Sequence, residues 1–272
     1  LIVLKKTIRI LLVVFPLLFT AGLWIYGFIQ ANDFSIAIKS ADNFTYTNIL
    51  VIFPHQDEEE QSLSGTLALF AKNNAQINWT ILTQGERDTA DAHPDDNLKR
   101  IRTQESETVA KILKIDPPSF GDFPDNQLAD HEDALTTYVR QQIATYKPDL
   151  IITYDESGGY GHPDHMLVSR IVTSLLKTDF PNIRLWYTST PEKLFNQLSL
   201  PTHMATNQEF LKSRKPPTFR VWIDITVVAA KIRAVYAYKS QFNSFMKSVP
   251  IKQIPMWFYI SLTPYEYFHD VN

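Results

Sequence analysis

Three short runs of almost uninterrupted apolar residues, Asn48–Phe53, Ile77–Thr83 and Asp149–Tyr154, leave little freedom in how this chain can be built. A strand with one face in water alternates polar and apolar residues. A strand covered on both faces does not, and that second pattern belongs to parallel sheets sandwiched between helices. The intervening segments are amphipathic. Leu63, Leu67, Leu69 and Phe70 line one side of a helix, and a longer one is expected over Asn97–Leu113, stopped by Pro117-Pro118. Others are expected at Asp133–Tyr146, ahead of Pro148, and at Met166–Leu176. Strand, helix and strand within about thirty-five residues form a βαβ unit. Further strands are expected at Ile183–Thr188 and Thr218–Ile225, followed by a helix over Thr226–Phe245. The expected fold class is α/β, a Rossmann-like, mostly parallel sheet flanked by helices.

Ahead of this domain, Lys5, Lys6 and Arg9 precede an uncharged apolar run from Ile10 to Ile29. About twenty such residues suffice to cross a bilayer, so the run reads as an N-terminal transmembrane helix. The basic residues favour a cytoplasmic amino end, which puts the catalytic domain of a single-pass membrane protein on the extracytoplasmic side. The alternative is a signal peptide, for which Ile29-Gln30-Ala31 is a poor cleavage site. The expected organisation is an anchor or uncleaved signal over 1–30, a polar linker over 31–47 and a catalytic domain over 48–272. The tail from Pro250, rich in aromatics, is expected to dock on that domain.

Composition removes some functions. A net charge of −3 gives no basic face for nucleic acid, which is excluded as a partner. The absence of cysteine means that any metal must be held by His, Asp and Glu.

Two clusters rich in such residues each follow a buried strand, where open α/β sheets bind ligands. The first is Pro54-His55-Gln56-Asp57-Glu58-Glu59 and the second His162-Pro163-Asp164-His165, the latter after the flexible Gly158-Gly159-Tyr160-Gly161. Two imidazoles and a carboxylate, here His55, His165 and Glu58, are a ligand set of hydrolytic zinc centres. Asp57 then stands beside the metal as a base, His162 as a second electrophile, and Asp164 where it can orient an imidazole. An acidic run at a helix start also stabilises the helix dipole, and a lone His-x-x-His is a weak signal; the conjunction after two buried strands is what points to a metal site. Ala92-His93-Pro94-Asp95-Asp96-Asn97 looks similar but follows a polar stretch, and reads as a capped helix entry. Arg102 and Glu105, three apart, read as a surface pair.

From Asn48 onward the chain resembles the PIG-L/LmbE-like family of zinc-dependent de-N-acetylases, whose motifs are (A/P)-H-P-D-D-E after a strand and a later H-P-D-H. Residues 54–59 match the first with two departures, and residues 162–165 match the second throughout. Thr83-Gln84-Gly85-Glu86, Arg102 with Glu105, and Lys239-Ser240-Gln241 match as well. The resemblance implies Zn2+ on His55, Glu58 and His165, Asp57 as general base, and His162 as the residue assisting the tetrahedral intermediate. It also implies an N-acetylglucosamine substrate on a lipid or other carrier, released as free amine and acetate. Glu58 stands where the family has Asp, one methylene longer, and Gln56 where it has Pro. The rival readings are a zinc amidase for another acylated amine, a silent glycan-binding protein, and a redox centre using the same ligand types.

Overall fold

The uninterrupted apolar runs lie side by side at the centre of an eight-stranded sheet. The computed structural model describes residues 2–40, 44–87, 92–198, 207–248 and 254–271. In chain order the elements are α1 (Ile2–Gln30), β1 (Ile38–Lys39), β2 (Asn48–Phe53), α2 (Glu58–Ser62), α3 (Ser64–Lys72), β3 (Gln76–Thr83), α4 (Asp96–Leu113) and β4 (Ser119–Phe123). They continue as α5 (Glu132–Tyr146), β5 (Leu150–Tyr154), α6 (Gly158–Gly161), α7 (Pro163–Thr178), β6 (Arg184–Thr188), α8 (Glu192–Phe195), α9 (Gln208–Ser213) and β7 (Phe219–Trp222). After these come α10 (Ile225–Ala237), α11 (Phe242–Ser248), α12 (Met256–Leu262) and β8 (Tyr265–Asp270).

The strand order is β1-β7-β8-β6-β5-β2-β3-β4. Every neighbouring pair is parallel except β6–β8 and β7–β8, which are antiparallel. From β2 the chain winds outward through β3 to β4, then returns to β5 on the other side of β2 and continues to β6. The winding therefore reverses between β2 and β5, and in open α/β sheets the crevice at such a reversal is where ligands bind. The register Val51↔Ile152 sets the two strands so that both histidine clusters emerge on the same edge.

Alternate residues of β2 feed separate cores. Ile49, Val51 and Phe53 pack with Leu63, Leu67, Trp79 and Val109 on one face. Leu50 and Ile52 pack with Leu135, Val139, Leu167 and Val168 on the other. This double burial is why the run shows no alternation.

Four local features go beyond or differ from the sequence reading. Ser119–Phe123 is a strand, although Gly121 and the left-handed Asp122 (φ 54°) give it no strand signature. The helix expected over Thr226–Phe245 stops at Ala237. There Tyr238 and Ser240 leave the helical path to bond Glu59 and Glu105. The aromatic tail contributes the interior strand β8 as well as a docked helix; its residues 250–253 lie outside the described part, as does Asp88 of the loop after β3. Finally, Ile38–Lys39 of the segment read as linker pairs with β7.

The amino-terminal reading needs correction. Among the described residues no helix is long and apolar enough to cross a membrane, so the transmembrane anchor and the single-pass extracytoplasmic placement fall. The later turns of α1 are engaged by the domain instead. Trp24 Nε1 donates to Ser261 Oγ at 3.2 Å, and Gly27 lies against Leu262 with no room to spare. Just beyond, the buried Asn32 amide donates to Leu262 O at 2.6 Å, and Lys193 Nζ reaches Asn32 O at 2.8 Å.

One buried acid ties the late strand to the helix behind the first motif. Glu266 on β8 accepts from Lys231 Nζ (2.7 Å) and from the backbone N–H groups of Gly65 (2.9 Å) and Thr66 (2.7 Å) at the start of α3. Removing one partner of a buried pair strands the other charge. Glu266→Ala is expected to cost about 3–5 kcal/mol in denaturant unfolding. Lys231→Met is expected to cost less, because Glu266 keeps its two backbone donors.

Candidate metal centre

The backbone turns sharply after β2 so that consecutive side chains serve different partners. Asp57 takes a left-handed conformation (φ 76°) at the entrance to α2, a conformation Asp tolerates better than most residues. This turn sends His55 and Glu58 inward together. On the β5 side, α6 contains non-helical dihedrals at Gly159 and Tyr160, and His162 caps α7. His165, one turn into α7, is fully buried.

The two clusters meet. His55 Nδ1 lies 3.1 Å from Glu58 Oε1 and 3.3 Å from His165 Nε2, and the last two atoms are 2.6 Å apart. Ligand atoms bonded at about 2.0–2.2 Å to a tetrahedral ion stand roughly 3.3–3.6 Å apart, so small adjustments would seat a metal here. The outer nitrogens explain why these atoms face inward. His165 Nδ1 donates to Gly158 O at 3.0 Å. His55 Nε2 lies 3.0 Å from Asp125 Oδ1 and 3.2 Å from Asp164 Oδ2, carboxylates that can only accept. Each ring thus places its hydrogen outward, which leaves the opposite nitrogen as a lone-pair donor.

The electrostatics fit a cation. Burial resists ionisation of Glu58, but the neighbouring His165 and His55 outweigh it and hold its carboxyl down at about 2. Burial likewise opposes the charged form of His55, and hydrogen bonds to Asp125, Asp164 and Glu58 overcome it, raising its pKa well above the ordinary histidine value; with no ion bound a proton on Nδ1 faces Glu58, and a metal would take that proton's place. Asp57 behaves differently. Burial pushes its carboxyl up to about 7; Arg102 opposes the rise and Glu58 adds to it. An acid in that range beside a metal site can take and return a proton near neutrality.

Two other groupings are close enough to hold an ion: His55 with His162 and His165, and His55 with Asp125 and Asp164. Both are less suited. His162 Nδ1 accepts from the Asp164 N–H (3.2 Å) and its Nε2 contacts Asn126 Oδ1 (2.9 Å), so neither nitrogen is spare. The second grouping uses the His55 nitrogen that already carries hydrogen toward its two carboxylates.

Five of the six residues singled out in the sequence, His55, Glu58, His162, Asp164 and His165, therefore meet in one cluster, Asp164 contacting His55 through one carboxyl oxygen and Leu128 N through the other, and Asp57 adjoins Glu58 in the chain. Asp125 and Asn126 were missed. They follow β4, a strand the sequence concealed, and an acid and an amide on the same sheet edge would have been the signal. Arg102 and Glu105 are not a surface pair. Arg102 is buried alongside Gly85, and Glu105 accepts from Ser240 N and Oγ at 3.0 and 2.6 Å. The similar stretch at 92–97 is a helix entry: Asp95 accepts from Asn97 N at 2.8 Å and caps α4.

Fold and site together define an α/β domain with a buried His/Glu/His cluster at its topological switch. Residues 50–176 match the sequence model of the PIG-L family, described as GlcNAc-PI de-N-acetylase. The chain is similar to a 1D-myo-inositol 2-acetamido-2-deoxy-alpha-D-glucopyranoside deacetylase of Rhodococcus opacus, 29% identical over 47% of this chain and 53% of the relative. It is also similar to a mycothiol S-conjugate amidase of Streptomyces coelicolor, 25% identical over 45% and 49%. The chain thus spans about half the length of these curated relatives. In fold it is similar to the N,N'-diacetylchitobiose deacetylase of Pyrococcus horikoshii, with a TM-score of 0.56, 20% identity and 84% of each chain covered.

The geometry predicts which variants lose a metal. A divalent ion at a hundredfold excess over its Kd stabilises the native state by about 2.7 kcal/mol, read as a rise in Tm. His165→Ala and Glu58→Ala are expected to abolish that rise and His162→Ala to preserve it. Loss in His162→Ala would favour the three-histidine grouping.

Proposed function

We propose that this chain is a zinc-dependent N-deacetylase acting on an N-acetylglucosamine-containing glycoconjugate. The observation carrying the reading is the meeting of His55 Nδ1, Glu58 Oε1 and His165 Nε2 at the switch point, with the half-buried Asp57 next to Glu58 in the chain. Relatives named as deacetylases of acetamido sugars supply the substrate class.

His55, Glu58 and His165 would hold the ion. A zinc ion there supplies Lewis-acid activation of water and of the amide carbonyl. Asp57 accepts the proton of the attacking water. His162, its Nδ1 occupied by a backbone donor, carries its hydrogen on Nε2, where Asn126 Oδ1 accepts it, and shares that hydrogen with the acetamide oxygen as negative charge develops there. The amine leaves only after gaining a proton, and Asp57, having just received one, is the group to return it. Asp125 and Asp164 touch no reacting atom in this scheme; they orient His55.

The similarity to an S-conjugate amidase supports a second reading, hydrolysis of another acylated amine by the same residues. A silent glycan-binding protein is less consistent with the site, since binding alone has no use for a base such as Asp57 beside the metal ligands.

The test is acetate release from free, inositol-linked and lipid-linked N-acetylglucosaminides by the full chain loaded with zinc. Asp57→Asn is expected to lower kcat by about 10²–10⁴, the usual contribution of a positioned acid-base group. Stripping with a chelator should abolish release, and zinc should restore it. A zinc-loaded protein that releases acetate from none of these sugars, yet cleaves a mycothiol S-conjugate, would move the assignment to the second reading.

A further inference from the structure

We infer that Asn126 is a positioning residue that fixes the tautomer and ring plane of His162 by accepting its Nε2–H, and that joins it, through Asp125, to the orientation of the ligand His55. The inference rests on the deacetylase reading for the role of His162, but the geometry stands apart from it. His162 caps α7 by accepting the Asp164 N–H at Nδ1, so that nitrogen presents a lone pair and the ring hydrogen sits on Nε2. That hydrogen points at Asn126 Oδ1, 2.9 Å away.

The direction of the Asn126 amide is fixed by its other neighbour. Its Nδ2 lies 3.0 Å from Asp125 Oδ1, an oxygen that can only accept, so the amide nitrogen must face Asp125 and the amide oxygen His162. The same Asp125 oxygen lies 3.0 Å from His55 Nε2. The bonds form one consistent series: His162 donates to Asn126, Asn126 donates to Asp125, and Asp125 accepts also from His55. A single amide thus spans the catalytic imidazole and the carboxylate that turns the His55 lone pair toward Glu58 and His165.

The backbone serves the same end. Asn126 is left-handed (φ 61°), a conformation that asparagine adopts more readily than most residues, and it sits in the turn between β4 and α5. The adjoining Asp125 is held from two sides, its N–H donating to Glu86 Oε1 at 2.8 Å and its second carboxyl oxygen accepting from Arg87 N at 3.2 Å. Asn126 therefore projects from a rigid base, as a group that must hold a ring to one line should.

Asn126→Gly separates the side chain from the turn, since glycine keeps the left-handed backbone at least as well. In the metal-free full-length protein, nitrogen-15 NMR of the imidazoles is expected to show a His162 Nε2–H shielded from exchange in the wild type and exchanging with water in the glycine variant. In the zinc-loaded enzyme kcat is expected to fall about tenfold with KM unchanged, the low end of what partners behind a metal centre contribute. Asn126→Asp keeps the acceptor for His162 but sets a carboxylate against Asp125. The His162 Nε2–H signal should therefore survive while zinc affinity drops about tenfold. A glycine variant matching the wild type in the NMR signature would reduce Asn126 to a turn former and overturn the inference. The NMR arm needs neither metal nor substrate, so it is unaffected if the deacetylase reading fails.

Discussion

Two imidazole nitrogens and an ionised carboxylate converge on one point, and much of this structure acts to keep them there. The outward hydrogens of His55 and His165 are anchored on Asp125, Asp164 and Gly158 O, so neither ring can turn its lone pair away. Those anchors come from three stretches of chain: the turn after β4, the start of α7 and the loop after β5. Only a sheet that brings the ends of β2, β4 and β5 to one edge can assemble them, and its winding reversal opens the crevice between the two histidine clusters. The convergence of ligand atoms is what makes a cation welcome, and the buried cores on both sheet faces hold that convergence in place.

Much of this was legible because strongly buried strands announce themselves. The runs at Asn48, Ile77 and Asp149 needed no context, and the histidine clusters that follow them identified the site. What could not be read was whatever depended on a distant partner. Gly121 and Asp122 weaken β4 as a strand, so Asp125 and Asn126 looked like residues of an ordinary turn. Glu266 sits inside the sheet, where an acid is unexpected, because Lys231 and the start of α3 compensate it across some two hundred residues in the case of Gly65 and Thr66. Tyr238 ends a helix that periodicity would have prolonged, in order to reach Glu59 at 2.7 Å. The apolar run at Ile10 carried the opposite lesson. Its composition suggested a bilayer, while its later turns show side chains committed to the domain.

The departures from the family's first motif have different physical weight. Glu58 keeps the charge and reaches the cluster through a longer side chain, accommodated by the left-handed Asp57 just before it. Gln56 is fully buried, and neither end of its amide has a protein partner. It packs against Gly85, where any added Cβ would collide with its Oε1 and with Arg102, so the glycine and the glutamine are matched to each other.

The position of β8 bears on how the molecule is put together. Residues 265–270 separate β6 from β7, and β7 is the sole neighbour of β1 in the sheet. During synthesis the half of the sheet holding both histidine clusters can pair as soon as β6 has emerged. The half containing β1 and β7 has nothing to join until β8 is made, some forty residues after β7, and such late, distant pairing slows folding. Glu266 arrives with that strand to cap α3, the helix behind the first motif. Completion of the sheet and consolidation of the loop after β2 are thus a single late event, which leaves the half bearing the histidine clusters exposed along one edge until then.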